Sequence, residues 1–120
     1  MSMHVLTEVR VKNASGELLR EALRLLAEHE GFAVSDFDTN QELFVLTKDG
    51  GERLVEVEVD GGRIKLRGDV DIISRRELDE LAARVKQYSV AVAAVAAVKR
   101  TGYASVRVAR AGESLYVEAV

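Results

Sequence analysis

Val5, Thr7, Val9 and Val11 alternate with Leu6, Glu8, Arg10 and Lys12. A period of two over this length predicts a half-buried strand. The period changes after Ser15. Leu18, Leu19, Ala22, Leu23, Leu25 and Leu26 recur at spacings of three and four, the broad apolar stripe of a core-facing helix. Ser15 is its N-cap, Glu17 lies near its positive end, and Gly31 supplies a left-handed stop. Phe32–Phe37 and Leu43–Lys48 read as short strands joined by a polar turn around Asp38, Thr39 and Asn40.

The next hairpin can be assigned a register. With Gly61 and Gly62 as a two-residue turn, Asp60 faces Arg63, Glu58 faces Lys65 and Glu56 faces Arg67, while Val59 meets Ile64 and Val57 meets Leu66. Each pair is two opposite charges or two aliphatics, and a slip of one residue would carry charges into the core. Exposed pairs of this kind are worth a few tenths to ~1 kcal/mol each, so they select register more than they add stability.

Residues 74–102 predict one long helix. Ser74 and Glu77 form a capping box, Ile73 and Leu78 occupy the hydrophobic-staple positions, and Lys99, Arg100 and Gly102 close the other end. Leu78, Leu81, Val85, Tyr88, Val92 and Val95 make a continuous seam. From Val90 to Val98, however, no side chain on any face is polar. A helix apolar all round has to be covered all round, and one other helix is the only helical cover in prospect. A face offset from the seam, formed by Val90, Ala91, Ala94, Ala97 and Val98, is therefore the expected interface with a second copy or another protein. A last hairpin follows, Tyr103–Arg110 with Glu113–Val120, and Ala111-Gly112 is taken as its turn. That register sets Arg110 opposite Glu113, Val108 opposite Leu115 and Arg107 opposite Tyr116. The order βα-ββββ-α-ββ, with strands polar on one side, predicts a single α+β domain over residues 1–120. It is expected to be a two-layer sandwich, a mainly antiparallel sheet with two helices on one face.

Composition narrows the function classes. The 120 residues are 48% apolar and 31% charged, which fits one globular domain. A net charge of −3 gives no general attraction to nucleic acid or anionic lipid. There is no cysteine, which fits a reducing cytoplasm. The first residues carry no signal-peptide pattern, and the uncharged run Gln87 to Val98 is too short to span a bilayer, so neither export nor a membrane partner is expected. Two Asn and two Gln beside abundant Val, Glu and Arg lean towards a thermophile, against which the absence of proline counts.

Candidate chemistry is sparse. Asp69 and Asp71 precede the long helix and could hold Mg²⁺ if a third ligand existed; without one they solvate a loop and face the helix dipole. His4 and His29 have no metal-ligand spacing, no serine sits in a nucleophile elbow, and neither Gly50-Gly51 nor Gly61-Gly62 lies in a strand-to-helix turn that would cradle phosphate. Arg63, Lys65 and Arg67 form a basic row that facing carboxylates cancel. Arg75, Arg76, Lys99, Arg100 and Arg107 are the basic residues left for a small ligand or a nucleic acid, and Tyr103, Arg107 and Tyr116 the group that could stack a base. No cofactor and no catalytic residue is expected.

The opening M-S-x-H, the Glu17-Leu18-Leu19…Ala22-Leu23 helix and the stretch Val85-Lys86-Gln87-Tyr88…Val92…Gly102-Tyr103-Ala104-Ser105-Val106 resemble an uncharacterised family, the small conserved reading-frame family of cyanobacteria and algal plastids. That family tends to carry tryptophans before the long helix and a second aromatic after the Tyr88 position; this chain has no Trp, and Ser89-Val90-Ala91 follows Tyr88. The resemblance implies a one-domain α+β protein and brings no activity with it. The leading expectation is a non-enzymatic, self-associating or adaptor domain. The alternatives are a small-ligand or nucleic-acid module and a metal-dependent enzyme at Asp69 and Asp71.

Overall fold

The structure, a computed structural model, describes residues 4–38, 43–48, 52–102 and 105–119. Its elements are β1 (His4–Arg10), α1 (Gly16–Glu30), β2 (Phe32–Asp38), β3 (Leu43–Lys48), β4 (Glu52–Asp60), β5 (Arg63–Asp69), α2 (Arg75–Arg100), β6 (Val106–Ala111) and β7 (Ser114–Ala119). The fold is α+β. Five antiparallel strands form a sheet in the order β1-β5-β4-β3-β2, and β6 pairs with β7 in a separate two-stranded sheet. The turn expected at Thr39 and Asn40, Gly50-Gly51 and Tyr103 lie outside the described residues.

The β4–β5 register is the one the charges dictate: Asp60 opposite Arg63, Glu58 opposite Lys65, Glu56 opposite Arg67. Gly61 and Gly62 both take positive φ, 58° and 82°, as a tight primed turn needs. The ion pairs that close are diagonal ones. Lys65 Nζ lies 2.7 Å from Asp60 Oδ2, and Arg63 reaches across to Glu8 on β1 at 3.3 Å. The Lys65–Asp60 hydrogen bond holds the Asp60 carboxyl below its ordinary pKa and raises that of the lysine. The other face of these strands is aliphatic and buried. Val57, Ile64 and Leu66, with Phe44 and Leu46 of β3, form one core with Leu19, Leu23 and Leu26 of α1 and Leu78, Leu81, Val85 and Tyr88 of α2. Both helices therefore cover the same face of the sheet.

The caps are as the sequence predicts. Ser15 Oγ accepts from the Leu18 amide at 3.1 Å, and Gly31 ends α1 at φ 80°. Ser74 Oγ accepts from the Glu77 amide at 3.1 Å while the Glu77 carboxylate accepts from the Ser74 amide at 3.2 Å. Hydrogen bonding to the Ser74 side chain, and then to the Ser74 backbone amide, keeps the Glu77 carboxyl below its usual pKa. The staple has a receptor that the pattern did not reveal. Gly68, opposite Val5 and Val55 on the inner face, leaves a notch filled by the Ile73 side chain, with Leu78 beside it.

The last hairpin corrects the sequence reading. Its turn is Gly112-Glu113 rather than Ala111-Gly112, so Arg110 faces Leu115, Val108 faces Val117 and Arg107 faces Glu118. Gly112 stands at φ 61°, and among the described residues Asn13 is the only non-glycine with positive φ. Glycine at the first of two turn positions, followed by a residue with negative φ, is the type II′ arrangement. Arg107 Nε then meets Glu118 Oε2 at 2.6 Å, and Tyr116 lies opposite Ala109. The expected Arg107–Tyr116 pair does not form.

An added methyl at Gly68 would overlap Ile73 Cγ2 beneath a buried strand. Gly68→Ala is expected to destabilise the fold by about 1–3 kcal/mol, the cost of overpacking. Urea titration should show a lower midpoint at unchanged slope.

Candidate functional site: the exposed half of the long helix

The 26 residues of α2 make a rod of about 39 Å, longer than the six- to nine-residue strands beneath it. Leu78, Leu81, Ala82, Val85, Tyr88 and Ser89 are buried between sheet and α1, the Ser89 hydroxyl donating to the Val85 carbonyl at 2.7 Å. Past this point the sheet ends and α2 continues. Val92 and Val95 are half-buried, Ala93, Ala96 and Ala97 are exposed, and Val90 keeps 55% of its surface in solvent.

The β6–β7 hairpin covers one flank of this overhang. Leu115 packs against the core, and a groove of about 540 Å³ runs between helix and hairpin, floored by Val90, Ala91, Ala94, Leu115 and Val117. The expected interface residues thus separate. Ala91 is buried inside the chain, Ala94 and Val98 are half-covered, and Val90 and Ala97 are open. By helical period the open side also includes Ala83, Lys86 and Ala93, all exposed. An 18-residue window of α2 has a mean hydropathy of 1.3, so by length and composition the helix could cross a bilayer; a third of that window (33%) is buried in the fold.

A polar clamp ties the overhang down. Glu30, at the end of α1, accepts from Arg84 at 2.6 Å and from the Tyr88 hydroxyl at 2.8 Å, and lies 3.3 Å from Arg110 Nε of β6. Arg110 also donates to Gln87 Oε1 at 3.1 Å, and Gln87 donates to the Glu113 carbonyl in the hairpin turn at 2.9 Å. The guanidinium of Arg110 lies over the Tyr88 ring and His29 stacks beside it. Burial, and then the Glu30 carboxylate, push the Tyr88 phenol up to about 12. At neutral pH it is a hydrogen-bond donor and not a base. Among the described residues no buried side-chain polar atom lacks a partner, so the polar groups of the clamp are satisfied within the chain. Sequence reasoning missed it because its members come from α1, α2 and the last hairpin.

The other candidates disperse. Arg75 pairs with Asp79 and Arg76 with Glu80, each at 3.3 Å, and Arg107 with Glu118. Lys99 and Arg100 stand at the opposite end of α2, about 35 Å from Arg75 and Arg76, so the five basic residues form no common patch. The Asp69 carboxylate accepts from the Asp71 amide at 2.9 Å, a loop-closing bond. Among the described residues no group of three or more His, Asp or Glu side chains is placed to hold a metal ion. The outer sheet face carries a depression of about 620 Å³ in which Glu8, Glu56 and Glu58 offset Lys65, Arg67 and Arg75.

Tyr88 supplies a pH test. Its folded pKa lies above the unfolded value of 10.0, so its contribution to stability is complete below pH 10 and is lost as pH rises towards 12. Two units correspond to about 2.7 kcal/mol at most. Of the three tyrosines in the chain, one is expected to ionise only near the alkaline unfolding transition, read by tyrosinate absorbance. Tyr88→Phe should remove that step and cost about 1–2 kcal/mol at neutral pH by stripping Glu30 of a donor.

No family model, no curated protein and no solved structure matches this chain, so the functional reading rests on these residues alone.

Proposed function

We propose that the chain is a non-enzymatic self-associating or adaptor domain whose binding surface is the exposed half of α2. The observation that carries this reading is Val90. It is a large aliphatic side chain, more than half exposed, at the head of a helix stretch that has no polar side chain over nine residues. Apolar surface gathered in one patch is the usual mark of a protein–protein contact. The alternative, a module gripping an anion with Arg75, Arg76, Lys99, Arg100 and Arg107, is supported less well, because three of these are ion-paired and the ends of α2 are far apart.

Light scattering across the micromolar range is expected to give a mass above that of one chain. Because Val90 is exposed, Val90→Glu should change monomer stability by about 0.5 kcal/mol or less. The same charge buried in an interface would cost several kcal/mol of association. A folded, monomeric Val90→Glu protein is the expected result. A wild-type chain that is strictly monomeric would remove self-association, and a Val90→Glu variant of unchanged mass would move the interface elsewhere.

A further inference from the structure

Resting on the self-association reading, the geometry points to its form: we infer that two copies pair α2 against α2 antiparallel, about a two-fold axis at Val90. The open side of the helix repeats every seven residues. Ala83, Val90 and Ala97 lie along its centre, all exposed, and a two-fold axis at Val90 sets Val90 against its own copy and Ala83 against Ala97 of the other chain. Two alanines in a layer let helix axes approach to about 8 Å.

Charge then chooses this arrangement over its rivals. On one flank of the central row lie Asp79, Lys86, Ala93 and Arg100, spaced by seven. In an antiparallel pair, residues on the same flank meet. Here Asp79 comes level with the second copy's Arg100, and Lys86 faces only Ala93. The Asp79–Arg100 contact occurs twice, once at each end of an overlap of about 30 Å. A parallel pair in register would leave Asp79 and Arg100 about 30 Å apart along the axis, with no contact between them. Sliding the axis one turn along the helix, to Ala94, leaves Arg100 without an acid. Asp79 is free to change partner, since its bond to Arg75 is an exposed pair at 3.3 Å of the kind that contributes little. Antiparallel alignment also sets each helix's positive end beside the other's negative end. The β6–β7 hairpin stands on the other flank, by Gln87 and Ala94, and walls one side of the groove that Ala83, Lys86 and Val90 also line, so the second helix would lie along that groove beside the hairpin.

Two measurements on the full chain test the pairing. The sequence has no cysteine, so Val90→Cys introduces one thiol, placed on the axis. It is expected to form a disulfide-linked dimer readily on oxidation, while Lys99→Cys, on the opposite side of the helix from Val90, is not. Asp79→Arg and Arg100→Asp should each weaken association roughly tenfold, and the double variant should recover most of that loss, with circular dichroism confirming the fold in each. A wild-type mass above one chain, without Val90 cross-linking and without charge-swap rescue, overturns the antiparallel pair and leaves self-association standing. A monomeric wild-type chain overturns both.

Discussion

Everything in this molecule depends on seating the first four turns of α2. The capping box at Ser74 and Glu77 fixes where the helix begins, and Ile73, in the notch above Gly68, fixes how it leaves β5. Leu78, Leu81, Val85 and Tyr88 then fill the space between sheet and α1. Strands of six to nine residues span about 20–30 Å, whereas α2 spans about 39 Å. A helix rooted at one end of such a sheet has to overrun it. The molecule is accordingly elongated, 53 × 30 × 22 Å. Exposure of the second half follows from length and anchoring as much as from composition.

A two-stranded hairpin is marginal by itself, so β6 and β7 need the overhang as the overhang needs cover. The contact is apolar through Leu115 and polar through Arg110. Glu30 organises the polar part. Placed at the end of α1 and only 16% exposed, it accepts from a guanidinium on α2 and a phenol on α2 and pairs with a second guanidinium on β6. A half-buried carboxylate with that many donors is well satisfied, whereas a half-emptied set would leave a charge short of partners. The clamp therefore fixes the hairpin to one flank of the helix and, by the same act, decides that the other flank stays open.

The sequence was legible where a local rule had one solution. Opposite charges permit one β4–β5 register, and a Ser/Glu box permits one helix start. It misled where the rule was degenerate. Sliding β7 by two positions keeps every side chain on its face, because the strand period is two. Val106, Val108, Leu115 and Val117 could not tell the two registers apart. What separates them is the backbone at Gly112, whose positive φ suits the first turn position, and the Arg107–Glu118 pair this permits. The Glu30 clamp was invisible because no period links residues 54 to 80 positions apart. For the same reason Ala91 was expected in the interface. Only the position of the hairpin shows that it is covered and that Ala93, two residues on, is open.

The alanines of the overhang have a reason apart from binding. A helix that runs beyond its supporting sheet receives little help from packing, and its last turns must hold by intrinsic propensity, in which alanine ranks first. Ala93, Ala94, Ala96 and Ala97, with Lys99 and Arg100 against the negative end, suffice to keep those turns wound. Val92 and Val95 also fit without a partner, since both are half-buried against the chain itself. Val90 does not. A β-branched side chain lowers helix propensity, and this one gains little burial in return. Alanine there would give a monomer a better helix, and lysine a more soluble one. Neither local propensity nor the packing of a single chain accounts for a valine at that position. The self-association proposed above would account for it, by closing a second copy over Val90 in the direction the surrounding charges favour.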